Sequence, residues 1–597
     1  MDTKTYRTYI CGAGQKLREI CPASPLYHLG SSQGTALGAI TLLTSYREHH
    51  HKRFPFNPFR PPPPTGGEAM LHGVGIEDEQ DVFMPLTDRP GHTVVVARTR
   101  HGKTRLAEIL ITQDIHRKEH NCVVVIDPKN DADLLKRTYV EAKKAGRKIY
   151  IIHLGYPEMS ARYNSIGSFS RITEPASRLT DGVASEGEAR AFKDFAWQYV
   201  NIIVVALFAL GEQPDYLKIR RYISDIDPLF VRYARHWLNE NGNDNWKAAL
   251  AATEKNIHPS KLSRTEQGRE ISAVALVRYI KQLDVFDPVL EGLISAFRFE
   301  REYFQKITGA VKPLLEKLTT GKIAEILAPD LNNTDDDRPV LDWMQAIRQG
   351  AVVYVSLDAL TDPTVAEVYG TSIFSDLTSL AGRIYKHGIE EGLPQISDKQ
   401  VKPKVIIHGD EFSDLIGPQF KTLINKSGGA GYELNLYTQT WSDPIAELGD
   451  RAKAGQLAGN IATMIMMGVK EKETCEMLTS QLPEVNVSEV MAVSSVTDAT
   501  NFDDGINFVS QNQDRMSVSR VPMISPADIV ALPKGQAFVM LNGSEAWKIR
   551  IPLPSKADDK DLPDDLCDML RTMRESYTSV MDWGDYKDSL DLGVLTG

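Results

Sequence analysis

The sequence predicts an α/β fold, in which a mainly parallel sheet is interrupted by an all-α insert. Three observations predict it. After Val74, short β-branched runs alternate with helical periods, as the strands and crossover helices of a parallel sheet do. From about Phe192 to Leu327 those runs vanish and long helical patterns replace them. From Val352 onward the strand-like runs return.

In chain order, residues 1–65 form an amino-terminal segment without clear periodicity. It carries His49, His50, His51, Lys52 and Arg53, then Arg60, Pro61 to Pro64, Thr65, Gly66 and Gly67. Prolines favour an extended chain and paired glycines release it, so this is a linker, and the histidine run reads as a solvated part of it. Residues 66–191 hold the expected strands Thr93–Val96, Cys122–Ile126 and Lys148–Ile152, with a helix from Lys103 to about Arg117. Residues 192–327 form the helical insert, with patterns over Asp194–Leu210, Tyr216–Ile223, Leu229–Leu238, Ile271–Leu283 and Leu290–Phe304. The sheet resumes over residues 328–555 with strands at Val352–Ser356, Val405–His408, Leu434–Tyr437, Thr463–Met467 and Ala537–Met540. Residues 556–597 form an acidic tail that reads as disordered.

Composition bounds the class. At 597 residues the chain is long enough for roughly three to four units of about 150 residues. With 42% hydrophobic and 25% charged residues it is a globular protein rather than a disordered or collagen-like one. Its five cysteines, Cys11, Cys21, Cys122, Cys475 and Cys567, form no CxxC pair, which argues for reduced thiols, no zinc site and a cytosolic setting. The formal net charge of −11 gives no support to nucleic-acid binding as a whole-molecule property. Much of that excess sits from Asp558 to the end, where eleven Asp and Glu face four Lys and Arg.

No run offers the ~20 apolar residues that span a bilayer. Val200–Leu210 reads as a buried helix, and the amino terminus lacks the apolar core of a secretory signal.

The chemistry begins at Ala97, Arg98, Thr99, Arg100, His101, Gly102, Lys103 and Thr104, which has Walker A spacing with alanine at the first glycine position. Main-chain N–H groups of such a loop cradle phosphates, helped by the positive end of the following helix. Lys103 is expected at the β- and γ-phosphates, Thr104 on Mg²⁺, and Arg105 at the edge of the ATP site. Val405–His408 leads into Gly409, Asp410 and Glu411, a Walker B pattern: Asp410 for Mg²⁺ and Glu411 to activate water. Gln439, in Thr438-Gln439-Thr440, can donate to a phosphate and accept from water. Asp127 and Lys129 close the strand after the P-loop helix, where open α/β sheets bind ligands, and are expected to bind ATP at the nucleotide's edge or to lie at a subunit boundary. The fold class is thus a RecA-like P-loop nucleotide-binding domain interrupted by a helical one.

The Ile126-Asp127-Pro128-Lys129 turn, the Walker pair, the run from Tyr437 to Asp443, and Gly459-Asn460 together resemble the type IV coupling proteins. The resemblance is to the TraD class of integrative conjugative elements, related to TraG and TrwB and to FtsK and HerA motors. It extends from about Asn57, through Leu71-His72-Gly73-Val74 and Gly91-His92-Thr93, to about Leu553. It implies an ATP- and Mg²⁺-dependent homohexamer at the inner face of the cytoplasmic membrane, which passes relaxase-bound single-stranded DNA to a type IV secretion channel. The insert would then contact DNA or relaxosome proteins, with Lys218, Arg220 and Arg221 as phosphate contacts. A solvated basic helix face is the alternative.

Two departures stand out. Relatives usually carry amino-terminal membrane helices and this chain has none, which leaves anchoring absent, supplied by a partner, or lost with a truncated start. Relatives also place an arginine upstream of the sensor glutamine to reach a neighbour's ATP. Here that region reads Lys426, Ser427, Gly428, Gly429, Ala430, and an ammonium does not replace a forked guanidinium. A double-stranded DNA pump and a non-translocating docking adaptor remain as alternative functions.

Overall fold

The computed structural model describes residues 69–71, 81–181, 189–283, 285–331, 333, 335–388, 404–416, 418–498, 508–541, 543, 545–552, 561–563 and 565–575. The linker, the histidine run and most of the acidic tail lie outside these residues. The strands in chain order are β1 (Ala69–Met70), β2 (Phe83–Met84), β3 (Thr93–Val96), β4 (Asn121–Asp127), β5 (Ile149–His153), β6 (Val352–Ser356) and β7 (Lys404–Gly409). They continue as β8 (Tyr432–Thr438), β9 (Thr463–Met467), β10 (Glu484–Asp498), β11 (Phe508–Pro522), β12 (Gln536–Leu541) and β13 (Glu545–Arg550).

Nine of these form one sheet in the order β13-β12-β9-β3-β8-β7-β4-β6-β5. From β9 to β5 every pairing is parallel, while β12 runs antiparallel to both β9 and β13. The parallel strands are buried almost throughout, on both faces, which is why they read as continuous apolar runs rather than alternating ones. The register matters for the site. β8 lies between β3 and β7, so the loop after β3 and the acids after β7 flank the end of β8.

Between β5 and β6 the described elements are all helical, from Glu174–Thr180 to Trp343–Gln349. Aspartates start many of these helices: Asp215, Asp287 and Asp342 each accept a main-chain N–H of the first turn. Ala189–Ala209 contains a stretch, Ala191–Ala209, long and apolar enough to cross a membrane by length and composition. Tyr199, Val200, Ile203, Val204 and Leu207 of that stretch are buried.

The helical pattern over Leu290–Phe304 does not form one helix. It splits into Pro288–Ser295, a 3-10 turn at Ala296–Arg298, and Arg301–Ile307. The buried Arg269 guanidinium accounts for the break, because its Nη2 donates to the carbonyls of Ala296 at 2.8 Å and Phe299 at 3.2 Å. It thereby satisfies acceptors that a longer helix would have used itself.

The tail departs from the expected disorder at Leu566–Glu575, an amphipathic helix whose Met569, Leu570 and Met573 are buried. Met573 Sδ accepts the Ile151 N–H at 3.1 Å on the outer side of β5, so the tail covers an edge strand.

Candidate functional site

β3 delivers the chain to the carboxyl edge of the sheet. Ala97 N donates to the Thr438 carbonyl at 3.1 Å and Arg98 N to the Gly468 carbonyl at 3.2 Å, which stitches the loop to the ends of both flanking strands. Arg98 Nε donates to His101 Nε2 at 2.8 Å and closes the loop on itself. Gly102 then stands at φ +107°, which an L side chain rarely adopts, and a Cβ there would lie 3.1 Å from Met467 Cε. The helix Lys103–Ile115 starts with no side-chain cap, leaving the N–H groups of its first turn for a ligand.

Lys103 Nζ lies 2.8 Å from Asp410 Oδ1 and 2.5 Å from Glu411 Oε1. Burial works against the ammonium, yet the two carboxylates outweigh it and raise its pKa. The same balance lowers the pKa of Glu411: burial opposes its charge, and Lys103 with Lys129 overcomes it. Gln439 Nε2 donates to Glu411 Oε1 at 2.9 Å, and Thr99 Oγ1 donates to Gln439 Oε1 at 2.8 Å. Lys129 Nζ also bonds Glu411 Oε1. The structure therefore brings Thr99, Lys103, Lys129, Asp410, Glu411 and Gln439 into one cluster across the ends of four adjacent strands.

Asp127 sits beside this cluster rather than in it. Its carboxylate accepts the N–H groups of Lys129 at 2.8 Å and Asp131 at 2.6 Å, and the Tyr354 hydroxyl at 2.7 Å. Burial nevertheless raises its pKa. Thr104 occupies the second position of the helix, half-buried. Arg105 turns toward its own helix and the next, pairing with Glu108 at 2.8 Å and Asp133 at 3.9 Å. Arg100 is exposed at the loop tip at φ +63°.

The three basic residues of Tyr216–Ser224 have different partners. Lys218 Nζ donates to the Gln213 carbonyl at 2.8 Å, Arg220 Nη1 donates to Thr319 Oγ1 at 2.9 Å, and Arg221 is exposed with its guanidinium 5.4 Å from the Tyr222 ring centre.

Several contributors carry no sequence signal. Among the described residues, non-glycine positive φ occurs at His92, Arg100, Asn130, Asp358 and Glu411. The last four follow the carboxyl ends of β3, β4, β6 and β7, so backbone strain gathers on the edge that holds the cluster. Gly535 N donates to the His101 carbonyl at 3.1 Å, which seats the Pro533–Gly535 turn on the P-loop. Burial, together with the Arg98 and Lys534 charges and against the Thr99 carbonyl, lowers the His101 pKa.

Behind the cluster runs a buried polar seam. Arg89 Nη2 meets Asp114 Oδ2 at 2.6 Å, Arg117 Nε meets Asp114 Oδ1 at 2.9 Å, and Arg117 Nη1 meets Glu433 Oε2 at 2.7 Å. His408 joins it, with Nε2 2.9 Å from Asp114 Oδ2 and Nδ1 2.9 Å from the Tyr437 hydroxyl. A proton on Nε2 satisfies both bonds. Through His408 the seam ties β7 to β8 and to the P-loop helix beneath the site.

No group of three or more His, Cys, Asp and Glu side chains among the described residues could hold a metal ion. A threonine hydroxyl and one carboxylate instead suit a hard cation that keeps most of its water, as Mg²⁺ does.

A strand, a Gly102-closed loop opening a helix, an Asp-Glu pair two strands along and a glutamine on the strand between define the RecA-like P-loop class of fold. Residues 404–534 match the family described as the TraM recognition site of TraD and TraG. No curated protein sequence matches the chain. Among solved structures, the plasmid coupling protein TrwB in complex with a non-hydrolysable ATP analogue is similar at 13% identity over 81% of this chain and 91% of that one, with a TM-score of 0.49. An unbound form of the bacterial conjugative coupling protein TrwB gives 13% identity over 79% and 86%, at 0.47. VirB4 of Thermoanaerobacter pseudethanolicus gives 12% over 82% and 98%, at 0.43.

Proposed function

We propose that this chain is a conjugative coupling ATPase of the TraD class, which hydrolyses ATP to move relaxase-bound single-stranded DNA toward a type IV secretion channel. The observation that carries it is the convergence of Lys103 with Asp410 and Glu411, some three hundred residues apart in sequence, within hydrogen-bond reach at the sheet's carboxyl edge. The match of residues 404–534 to the TraD and TraG family supports the conjugative setting.

In this reading the P-loop N–H groups and Lys103 bind the phosphates, with Ala97 to Arg105 forming the pocket. Mg²⁺, held by Thr104 and Asp410, supplies charge neutralisation at the transferring phosphoryl group. Glu411 orients and deprotonates the attacking water, and Gln439 reads the γ-phosphate. The working unit is a homohexamer on the cytoplasmic side of the inner membrane. The helical region takes the relaxosome and the DNA, with Arg221 its most accessible candidate contact.

Steady-state ATP hydrolysis with and without single-stranded DNA tests this. Wild type is expected to show DNA-stimulated turnover, and Lys103→Ala and Glu411→Gln each to lower it by about 10²-fold or more. A folded oligomer without turnover, or one indifferent to both substitutions, points instead to a docking adaptor.

A further inference from the structure

Three donors reach one oxygen of Glu411: Lys103 Nζ at 2.5 Å, Gln439 Nε2 at 2.9 Å, and Lys129 Nζ. Two of them have work elsewhere once a triphosphate binds, Lys103 at the β- and γ-phosphates and Gln439 at the γ-phosphate. Lys129 stands at the end of β4, on the far side of β7 from the P-loop strand, and its ammonium is spent on Glu411.

The chain around Lys129 is held with unusual care. Asp127 accepts the N–H groups of Lys129 and Asp131, and Tyr354 donates to the same carboxylate. Asn130 is fixed at φ +60° with Nδ2 donating to Asp358 Oδ1 at 2.8 Å, and Ser356 Oγ bonds Asn130 Oδ1. A left-handed asparagine and a buried carboxylate committed to main-chain N–H groups both cost free energy. What they place is the Lys129 side chain.

Glu411 needs such a partner. It sits at φ 40° and ψ 50°, with its side chain only 6% exposed. Asp410 adjoins it, and Asp414 repels it from the following turn. When the phosphates draw Lys103 away, Glu411 loses a counter-charge and gains the negative tail of the nucleotide as a neighbour. A buried carboxylate so placed turns away or neutralises unless a cation remains.

Resting on the ATPase reading, we propose that Lys129 is the positioning residue for the water-activating carboxylate. It holds Glu411 in its left-handed geometry after Lys103 has moved to the phosphates, and it is not itself a phosphate ligand.

The test uses the full chain with Mg²⁺ and ATP, measuring kcat and, separately, the affinity for a fluorescent ATP analogue. Lys129→Ala is expected to lower kcat by about tenfold to a hundredfold, the range of a misplaced general base, while the analogue binds within about twofold of wild type. Lys129→Arg, which keeps the positive charge within reach, restores most of the turnover. If Lys129→Ala does not fold, Lys129→Gln, which keeps the length without the charge, reads the same split. Affinity falling in step with kcat makes Lys129 a phosphate ligand and overturns the proposal. So does an unchanged kcat, or a raised one, which would make Lys129 a brake. Failure of the ATPase reading looks different: wild type does not turn over, or Lys103→Ala turns over and binds as wild type does.

Discussion

His153, at the end of β5, accepts the Gly155 N–H through Nδ1 at 3.2 Å, so the folded state requires that nitrogen unprotonated. Burial pushes its pKa down to about 4, against the pull of Asp358. Unfolded, the ring titrates near its ordinary 6.5. Between these values the unfolded chain binds a proton that the native chain refuses, so stability is fully present above pH 6.5 and falls as the pH drops toward 4. Urea unfolding at pH 7, 5.5 and 4.5 should show His153→Asn losing less stability on acidification than wild type, by about 1.4 kcal/mol per pH unit inside this window. Equal acid sensitivity in the two proteins would contradict the assignment. Nothing in the sequence marks His153, whereas Lys103, Asp410, Glu411 and Gln439 are legible in it. The four follow apolar strands in short motifs, so their chemistry is written locally. His408 and Asp114 are separated by 294 positions and acquire meaning only when β7 settles beside the P-loop helix.

At the scale of elements, the doubly buried strands were legible to within a residue or two, because a continuous Val, Ile or Met run has few other ways to satisfy water and backbone together. β10 and β11 carry no such signal. Val485-Asn486-Val487-Ser488 does alternate, but the polar residues further along dilute the pattern, and the pairing is set by a partner more than thirty residues away at Val521. The helix Leu566–Glu575 was hidden by its own charge, since an acidic average masks a narrow stripe of Leu566, Met569, Leu570 and Met573. That stripe seals β5. Met573→Ala is expected to lower stability by about 2–3 kcal/mol through lost packing and an opened strand edge. Hydrogen exchange should localise the change to β5, with analogue binding at the P-loop unaffected. Exchange rising at β3 instead would mean the tail helix supports the site itself.

On the scale of the whole molecule, a buried side chain on the crossover helix Pro363–His387, Asp376, anchors a network that helps join the sheet to the helical region. Its carboxylate accepts the Tyr163 and Ser168 hydroxyls and lies 3.2 Å from Arg178 Nη2. Tyr216 extends the tie into the helical region by bonding Ser165 Oγ at 2.8 Å. Removing a buried anion from its cation and donors costs about 3–5 kcal/mol. Asp376→Ala should therefore split a single unfolding transition into two, the helical region melting first, as followed by calorimetry and by exchange across residues 189–327. A single transition merely shifted to lower temperature would show that other contacts carry the coupling.

The strand order has a further consequence for how the molecule comes into being. β3 leaves the ribosome early, yet its two neighbours in the sheet, β8 and β9, are synthesised more than three hundred residues later. Until Thr438 has emerged, the nascent chain holds its P-loop on a strand with neither sheet neighbour beside it, and only with Met467 is β3 flanked on both sides. Such long-range pairing folds slowly and leaves apolar edges uncovered meanwhile. For most of its translation β3 is therefore an apolar strand with both edges open, a surface to which other unpaired strands can add.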